Sequence, residues 1–449
     1  MNALKVYVIY SFVEGLSAHS ENEEIRLHLG MVLDPADVQE YGGDYTGVEC
    51  WRVKMSDFQR TAFTSAIPRA QIYENTQLLY HEDLRFSRTH DQNMSDPEQS
   101  LLEISNGTKL GPGLGAETIY QLDAPSDLKM VSWAPGVPLG ETKSYAYDPE
   151  NGGEAIIYII ENGIDKRNRE FAWPPQDWLY APSVRRTETD DDPLSHGSCV
   201  ASKASGDKNG VSKTTQLVIV KSSLSVVDIS WAFQQIVNTA AKQKTPRVVV
   251  LLAATTKTPW HSGLFQDIRF SRLYLRMQNL IDLGAVVVVP SGNYGKRSFF
   301  VDTVPAVFAS PSTTLGRPAL PLIVAGAVDN KGAEASWSQT SPNPMVWAPG
   351  VGVACTKRGL KFRPTDTGTS FSAGMVAGLA AYFLGMKDPP FAIGGRDASR
   401  NLINYFQTSA SWARRPGERK VMWNRLDGSL MSLSNTSNLP FTVVNASTY

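Results

Sequence analysis

Residues 155–160 read AIIYII, and this short apolar run and others like it decide the fold class. Four more follow, separated by helix-like stretches: LVIVK at 217–221, VVVLLA at 248–253, AVVVVP at 285–290 and LIVAGAV at 322–328. Strands of this kind are buried on both faces, and helices between them imply parallel crossover connections. The pattern predicts a doubly wound α/β domain with a parallel sheet over residues 151–426.

The first 80 residues alternate strand-like and helix-like segments. The strand-like segments are KVYVIYS at 5–11, GVECWRVKM at 47–55 and QIYENT at 71–76. Helices are expected from Ser20 and from Ser56, because each serine is followed three residues later by Glu or Gln. That spacing is typical of a capping box, in which both side chains bond free backbone N–H groups. The segment is predicted to form a small α+β domain of ferredoxin-like type.

Two segments lack any sustained period. Residues 81–150 are rich in Asp, Ser, Gly and Pro and contain GPGLG at 111–115, which is typical of a linker or a long surface connection. Residues 427–449 include SLMSLSNTSN and are expected to run over the surface as a C-terminal tail.

The composition excludes several classes of protein. Lys and Arg total 43 against 44 Asp and Glu, so the net charge of -1 provides no field that gathers nucleic acid or anionic lipid. The apolar runs are shorter than the roughly 18 residues that a membrane helix requires. Cys50, Cys199 and Cys355 are too few for a disulfide scaffold and match no zinc spacing. We expect a polypeptide partner, and neither nucleic acid nor a membrane.

Four polar side chains stand where a parallel sheet collects its functional groups, at the carboxyl ends of its strands. The run AIIYII ends in Glu161, and AVVVVP leads through Ser-Gly to Asn293. His196 and Ser370 each begin a helix-like stretch of small residues, where a lone serine would be read as an N-cap. Acyl transfer needs a hydroxyl, an imidazole, a carboxylate and an oxyanion donor. The sequence therefore predicts these roles for Ser370, His196, Glu161 and Asn293 respectively.

The order of these motifs, an acid, His196-Gly, Ser-Gly-Asn293 and Gly-Thr-Ser370, resembles the subtilisin family of serine peptidases. The segment HGSCVASKASG at 196–206 is most similar to a fungal branch of that family. The resemblance covers roughly residues 155–385. It implies a serine endopeptidase that cleaves extended polypeptides through an acyl-enzyme, with no organic cofactor and no metal.

The resemblance also implies a substrate strand and a partner. Ala253, Ala254 and Thr255 take the place of the strand whose backbone pairs with the substrate. The first 80 residues resemble the inhibitory prodomain, which assists folding and then occupies the active site; the alternative is an unrelated small α+β domain. The family suggests a secreted or vacuolar location, although the first residues show no convincing signal-peptide pattern.

Glu161 departs from the family, which has Asp at this position. A Glu carboxylate is one methylene further out, so we expect it to reach His196 Nδ1 only if the strand or the ring shifts. Three interpretations stay open. Glu161 orients the histidine; or the site is impaired and the chain is a pseudopeptidase that binds peptides or proteins; or Asp165 supplies the carboxylate.

Two further features have alternative interpretations. Cys199 lies three residues after His196, and we expect a buried packing residue rather than a thiol that affects the histidine. The acidic run 190–192 is expected to be solvated, because it lacks the spaced oxygen ligands of a calcium site.

Overall fold

The computed structural model has an N-terminal α+β unit and a larger α/β unit. It describes residues 4–10, 18–43, 47–75, 78–79, 103–106, 118–138, 140–172, 176–242, 247–256, 267–311, 317–359, 364–429 and 442–444. In this described part of the chain, every helix falls short of the length and apolar character needed to cross a bilayer.

The N-terminal unit is a four-stranded antiparallel sheet with two helices. Its elements are β1 Lys5–Tyr10, α1 Ala18–Val32, β2 Val38–Gly43, β3 Gly47–Met55, α2 Asp57–Ala66 and β4 Gln71–Glu74. The sheet order β2-β3-β1-β4 is that of a ferredoxin-like βαββαβ unit. The capping box predicted at Ser56 is confirmed. The helix start predicted at Ser20 is wrong, since α1 begins at Ala18 and Ser20 lies within its first turn.

The predicted connecting region 81–150 contains ordered elements at 103–106 and from Thr118 onward, so these parts are not a structureless linker. The elements after β4 are β5 Leu78–Leu79, β6 Glu103–Asn106, β7 Thr118–Gln121, α3 Ser126–Lys129 and β8 Tyr145–Tyr147. Leu128, Val131 and Tyr145 are buried in the core of the α/β unit. These apolar side chains anchor a segment that is otherwise polar. The GPGLG sequence at 111–115 lies outside the described residues.

The α/β unit follows the predicted alternation of strands and helices. Its elements are β9 Ile156–Glu161, β10 Gln176–Tyr180, α4 His196–Ser205, β11 Gln216–Lys221, α5 Val226–Ala240, β12 Val248–Leu251, β13 Thr255–Thr256, α6 Ile268–Asp282, β14 Val286–Pro290, β15 Ile323–Val328, β16 Val346–Pro349, β17 Val353–Ala354, β18 Thr365–Asp366, α7 Thr369–Leu384, α8 Ala398–Thr408, β19 Ser411–Ala413, β20 Lys420–Met422 and β21 Thr442–Val444. All five apolar runs identified in the sequence are strands here.

Nine of these strands form the central sheet, in the order β10-β11-β9-β12-β14-β15-β16-β20-β19. All neighbours pair in parallel except the edge pair β19 and β20. The chain fills one side of β9 with β10 and β11 and then crosses to β12 on the other side. This reversal opens a crevice at the carboxyl ends of β9 and β12, where ligands bind in open α/β sheets.

Two corrections concern the end of the chain and the cysteines. Residues 442–444, expected to be part of a surface tail, form β21 and pair with β6. Cys199 is neither a simple packing residue nor a thiol, because it forms a disulfide with Cys355 across 156 residues of sequence. Cys50 is a buried free thiol. A pairing at this separation leaves no local signal in the sequence.

We expect the Cys199→Ser, Cys355→Ser double variant to lose about 2–5 kcal/mol of unfolding free energy, since the bond closes a long loop in the unfolded chain. Urea unfolding under non-reducing conditions measures the loss. The control is Cys50→Ala, which keeps the bond and should stay sensitive to reductant. Equal midpoints for the double variant and the wild type would mean that the bond adds no stability.

Candidate active site

The imidazole of His196 is held by Glu161 at the carboxyl end of β9. Glu161 is the last residue of β9 and is fully buried, and His196 is the first residue of α4. His196 Nδ1 lies 2.9 Å from Glu161 Oε1, and the Asn162 N–H donates to the other carboxylate oxygen at 3.3 Å. The longer acid therefore reaches the ring. Nδ1 can bond one carboxylate at a time, so its bond to Glu161 leaves no place there for the Asp165 carboxylate.

The close approach of α4 to β9 depends on two glycines. A Cβ built on Gly197 would lie 2.2 Å from the Gly163 carbonyl oxygen and 3.2 Å from the Glu161 Cβ. Gly163 itself has a φ of +111°, and its Cβ would meet the Thr189 carbonyl oxygen at 2.1 Å. Contacts this short with backbone atoms exclude any side chain. The Gly of the His-Gly pair thus sets the distance between the acid and the histidine.

The acidic run 190–192 caps α4 through Asp190 and Asp192, which are buried and not solvated, whereas Asp191 is exposed as expected. Asp192 Oδ2 accepts the His196 N–H at 2.7 Å, and Asp190 Oδ2 accepts the Ser198 N–H at 3.3 Å. Asp191 forms an ion pair with Lys221 at 2.8 Å. The carboxylates of Asp192 and Asp190 accept N–H groups that have no partner within the helix. Both carboxylates lie at the positive end of the helix dipole. No cluster suited to a metal ion occurs among the described residues.

Ser370 lies in the first turn of α7, which passes through the core. The N-cap of α7 is Gly368, so Ser370 is the second helical residue and not the cap. Its hydroxyl is nearly buried and donates to the Ala253 carbonyl oxygen at 2.9 Å. The ring of Phe371 lies 5.4 Å from the imidazole of His196, centroid to centroid. This contact brings the helical turn of Ser370 against the histidine.

The amide of Asn293 is oriented by the residue before Ser370. Its Oδ1 accepts the Thr369 N–H at 2.9 Å and the Thr369 hydroxyl at 2.8 Å. The Nδ2 donor therefore lies on the other side, beside Gly368, where a Cβ built on the glycine would be 3.5 Å from it. The site gains a polarised N–H donor next to the amino end of α7.

The three residues predicted as the substrate strand follow β12 and line the crevice from the other side. Ala253 and Ala254 are fully buried, and Ala253 accepts the Ser370 hydroxyl. Thr255 begins β13, which pairs antiparallel with β5 of the N-terminal segment, Thr255 opposite Leu79. The backbone that would pair with an extended substrate thus already pairs with an extended segment of the same chain.

Gln339 supports the loop of Asn293 and was not identified from the sequence. Its backbone N–H donates to the Gly292 carbonyl oxygen at 3.0 Å. Its Nε2 lies within hydrogen-bond distance of the Ser298 and Phe300 carbonyl oxygens and of Asp302 Oδ1. Gln339 thereby joins both ends of the loop, one through its backbone N–H and the other through its side-chain amide. A single Gln in an irregular segment carries no pattern that could have indicated this role.

A scan of protein families matches residues 152–404 to the subtilase family. The chain belongs to the subtilase family. The match covers more than half of the chain and includes Glu161, His196, Asn293 and Ser370. The family match confirms the predicted α/β fold, and the similarity to fungal proteases confirms the fungal resemblance.

Curated relatives of this subtilase include fungal subtilisin-like proteases. It is 27% identical over 277 residues to Subtilisin-like protease 3 of Pseudogymnoascus destructans, covering 60% of this chain and 61% of that protein. It is 26% identical over 286 residues to Subtilisin-like protease 2 of Trichophyton rubrum, covering 61% of each. The chain thus spans about three fifths of their length. A crystal structure of a cold adapted subtilisin-like serine proteinase aligns with 68% of this chain and 100% of that chain, with 19% identity and a TM-score of 0.48.

Glu161 variants test the 2.9 Å bond. Glu161→Gln keeps the shape but removes the charge that stabilises an imidazolium, and we expect acylation to fall about ten-thousandfold, as when the acid of a serine-protease triad becomes an amide. Glu161→Asp retracts the carboxylate by one carbon–carbon bond, with an expected loss of about a hundredfold. The measurement is single-turnover acylation by an activated ester.

The matched control for these variants is Asp165→Asn, which should acylate at nearly the wild-type rate. A large loss in Asp165→Asn, with Glu161→Gln unaffected, would transfer the orienting role to Asp165.

Proposed function

We propose that the protein is a serine-type endopeptidase that cleaves extended polypeptides through an acyl-enzyme on Ser370. The observation that carries the proposal is the 2.9 Å contact between Glu161 Oε1 and His196 Nδ1. It matters most because Glu161 is the position at which the chain departs from its family. The contact of Phe371 with His196 supports the same arrangement, since Ser370 and Phe371 share a helical turn.

The reaction uses the described groups in a fixed order. His196 takes the Ser370 hydroxyl proton as the oxygen attacks the substrate carbonyl carbon, and Glu161 stabilises the resulting imidazolium. The C–N bond then breaks, and His196 gives the proton to the leaving amine. Water repeats the sequence on the ester. In the present state the hydroxyl donates to the Ala253 carbonyl oxygen, so a rotation of the Ser370 side chain precedes attack.

The developing oxyanion has two donors available. Asn293 Nδ2 is turned toward the start of α7 because Thr369 uses the amide oxygen. The Ser370 N–H lies in the first turn of the helix, where backbone donors have no intrahelical partner and the dipole favours negative charge. Donors that are already oriented cost no rearrangement when the charge develops, which is the main source of rate enhancement in such sites.

Substrate recognition by backbone pairing fits the crevice. The segment from Ala253 to Thr255 offers main-chain groups at the carboxyl end of β12, and such groups bind an extended peptide whatever its sequence. The antiparallel pairing of β13 with β5 supports this proposal, because it is the same mode of binding within the chain.

The N-terminal unit is proposed to act as the chain's own inhibitor. Its sheet packs against the α/β unit through Val8, Tyr10, Tyr41 and Cys50, which share a buried cluster with Val227. The Tyr41 hydroxyl donates to Asp228 Oδ1 at 2.6 Å within this interface. A separate core within the unit supports independent folding. The strand β5 then extends from the unit into the crevice.

An oxidising compartment is proposed for the protein. The Cys199–Cys355 disulfide supports it, because such bonds persist in secreted proteins and are rare where thiols are kept reduced. This agrees with the secreted or vacuolar location suggested by the family resemblance.

Ser370→Ala should abolish both labelling by a fluorophosphonate and hydrolysis of casein, because Ala has no hydroxyl to acylate. The fold should persist, since Ala is the best helix former. The matched control is Ser372→Ala, which removes a buried hydroxyl of the same helix that bonds the Ala348 and Pro349 carbonyl oxygens. If the α/β unit still neither labels nor cleaves after residues 1–80 have been removed, the chain is a pseudopeptidase.

Residues 1–80, expressed separately and added to the rest of the chain, should bind it and inhibit hydrolysis. Tyr41→Phe in this piece should weaken inhibition about tenfold or more, since it removes a hydrogen bond to the buried Asp228 carboxylate. The control Tyr7→Phe removes a hydroxyl that bonds Asp57 within the unit and should inhibit normally. Absence of both binding and inhibition would indicate an unrelated accessory domain.

A further inference from the structure

The side chain of Ser198 joins three segments beneath His196. Ser198 is in the first turn of α4, two residues after His196, and is fully buried. Its hydroxyl donates to Asp190 Oδ2 and accepts the Asp165 N–H at 2.8 Å. One hydroxyl therefore links the helix of the histidine, the loop before it and the turn after Glu161.

The geometry of these links bears directly on the Glu161–His196 pair. Asp165 belongs to the turn that begins at Glu161, and Ser198 belongs to the helical turn that begins at His196. A bond between the two turns fixes the separation of their first residues. A glutamate depends on a fixed separation more than an aspartate would, because its additional side-chain torsion lets the carboxylate occupy more positions.

The carboxylate of Asp190 completes the arrangement. It is fully buried, and it accepts the Ser198 hydroxyl, the Ser198 N–H at 3.3 Å and the Asp192 N–H at 3.0 Å. The charged groups around it are the Asp192 and Glu161 carboxylates, which repel it, and Arg358, whose guanidinium donates to the Asp190 carbonyl oxygen at 2.7 Å. The acceptor that orients the Ser198 hydroxyl is thus a carboxylate close to the candidate triad.

We propose that Ser198 and Asp190 are positioning residues that hold His196 against Glu161 and thereby allow a glutamate to orient the histidine. The inference rests on the proposed peptidase function for its kinetic consequence, although the bonds themselves do not depend on it. Neither side chain touches the substrate; both act through His196.

The charge state of Asp190 gives the arrangement a pH dependence. Burial raises the pKa of its carboxyl to about 6, from the usual value of 3.8. A carboxyl whose pKa is raised on folding favours the folded state when protonated, and this contribution is lost as the pH rises through about 6. At pH 7.5 the ionised Asp190 therefore opposes folding. The Asp190→Asn variant should unfold there at an equal or higher temperature than the wild type.

The first test is kinetic. Ser198→Ala should lower kcat for a peptide substrate about ten- to a hundredfold with little change in KM, because a misplaced catalytic group slows the chemical step. Ser198→Thr keeps the hydroxyl and should retain most of the activity. The matched control is Ser205→Ala, which removes a buried hydroxyl from the other end of α4, where it bonds the Thr215 carbonyl oxygen. Wild-type kcat in Ser198→Ala would overturn the proposal.

The second test separates positioning from stability. Asp190→Asn imitates the protonated carboxyl, so its kcat/KM should fall below that of the wild type at pH 7.5, and the two should converge below about pH 6. A merely structural role would instead lower activity and melting temperature together at every pH. That result would contradict the proposal.

The third measurement does not require activity. The Nδ1 proton of His196 bonded to a carboxylate gives a far-downfield proton resonance, which Ser198→Ala should shift or broaden and Ser205→Ala should not. A shifted resonance would support the positioning role even in a chain that no fluorophosphonate labels. An unmoved resonance would refute the positioning role, whether or not the wild type is active.

Discussion

The close packing of α4 against α7 is the constraint on which the rest of the active site depends. A Cβ on Gly374 would lie 2.8 Å from the Val200 carbonyl oxygen, and one on Gly378 would lie 2.3 Å from that of Ala204. Two glycines one turn apart thus let α7 contact the backbone of α4 directly. Because all sixteen residues of α7 are buried, the helix cannot move away without opening the core. His196 begins α4 and Ser370 lies in the first turn of α7, so this contact brings the two residues together.

The helix that carries His196 is held along its whole length by polar and covalent bonds. Acidic groups accept its amino-terminal N–H groups, as the helix dipole favours, and Lys203 in its last turn forms a buried ion pair with Asp127. Lys203 also donates to the Ala354 carbonyl oxygen at 3.0 Å, next to the disulfide that anchors the middle of the helix through Cys199. Even a paired buried charge costs desolvation free energy that the attraction of its partner need not fully repay, so the fixed histidine comes at some cost in stability.

The N-terminal residues contact the α/β unit both at α6 and at β13. On α6, Arg269 and Arg272 lie 4.8 Å from the ring centroids of Tyr73 and Tyr10 in the N-terminal unit. Arg276 donates to the Ser230 hydroxyl at 2.6 Å, and burial lowers its pKa to about 10. The two arginine–tyrosine contacts and the pairing of β5 with β13 join the N-terminal residues to the α/β unit at two places. Under the proposed function, β5 would compete with other peptides for this strand, because both would use the same backbone groups.

The sequence by itself determined the parallel sheet and the family, because buried strands and short motifs at strand ends are local patterns. The same motifs predicted the four site residues, and their roles stay a prediction. The start of α1 was predicted wrongly at Ser20. The spacing of Ser20 and Glu23 expresses only a local preference, which tertiary packing can override. The Cys199–Cys355 bond, the cap of Asp190 on α4 and the role of Gln339 join residues far apart in the chain, and no local pattern records such pairs. Tertiary structure alone decided that Glu161 reaches His196, because the outcome depends on the separation of two backbones set by Gly163, Gly197 and Ser198.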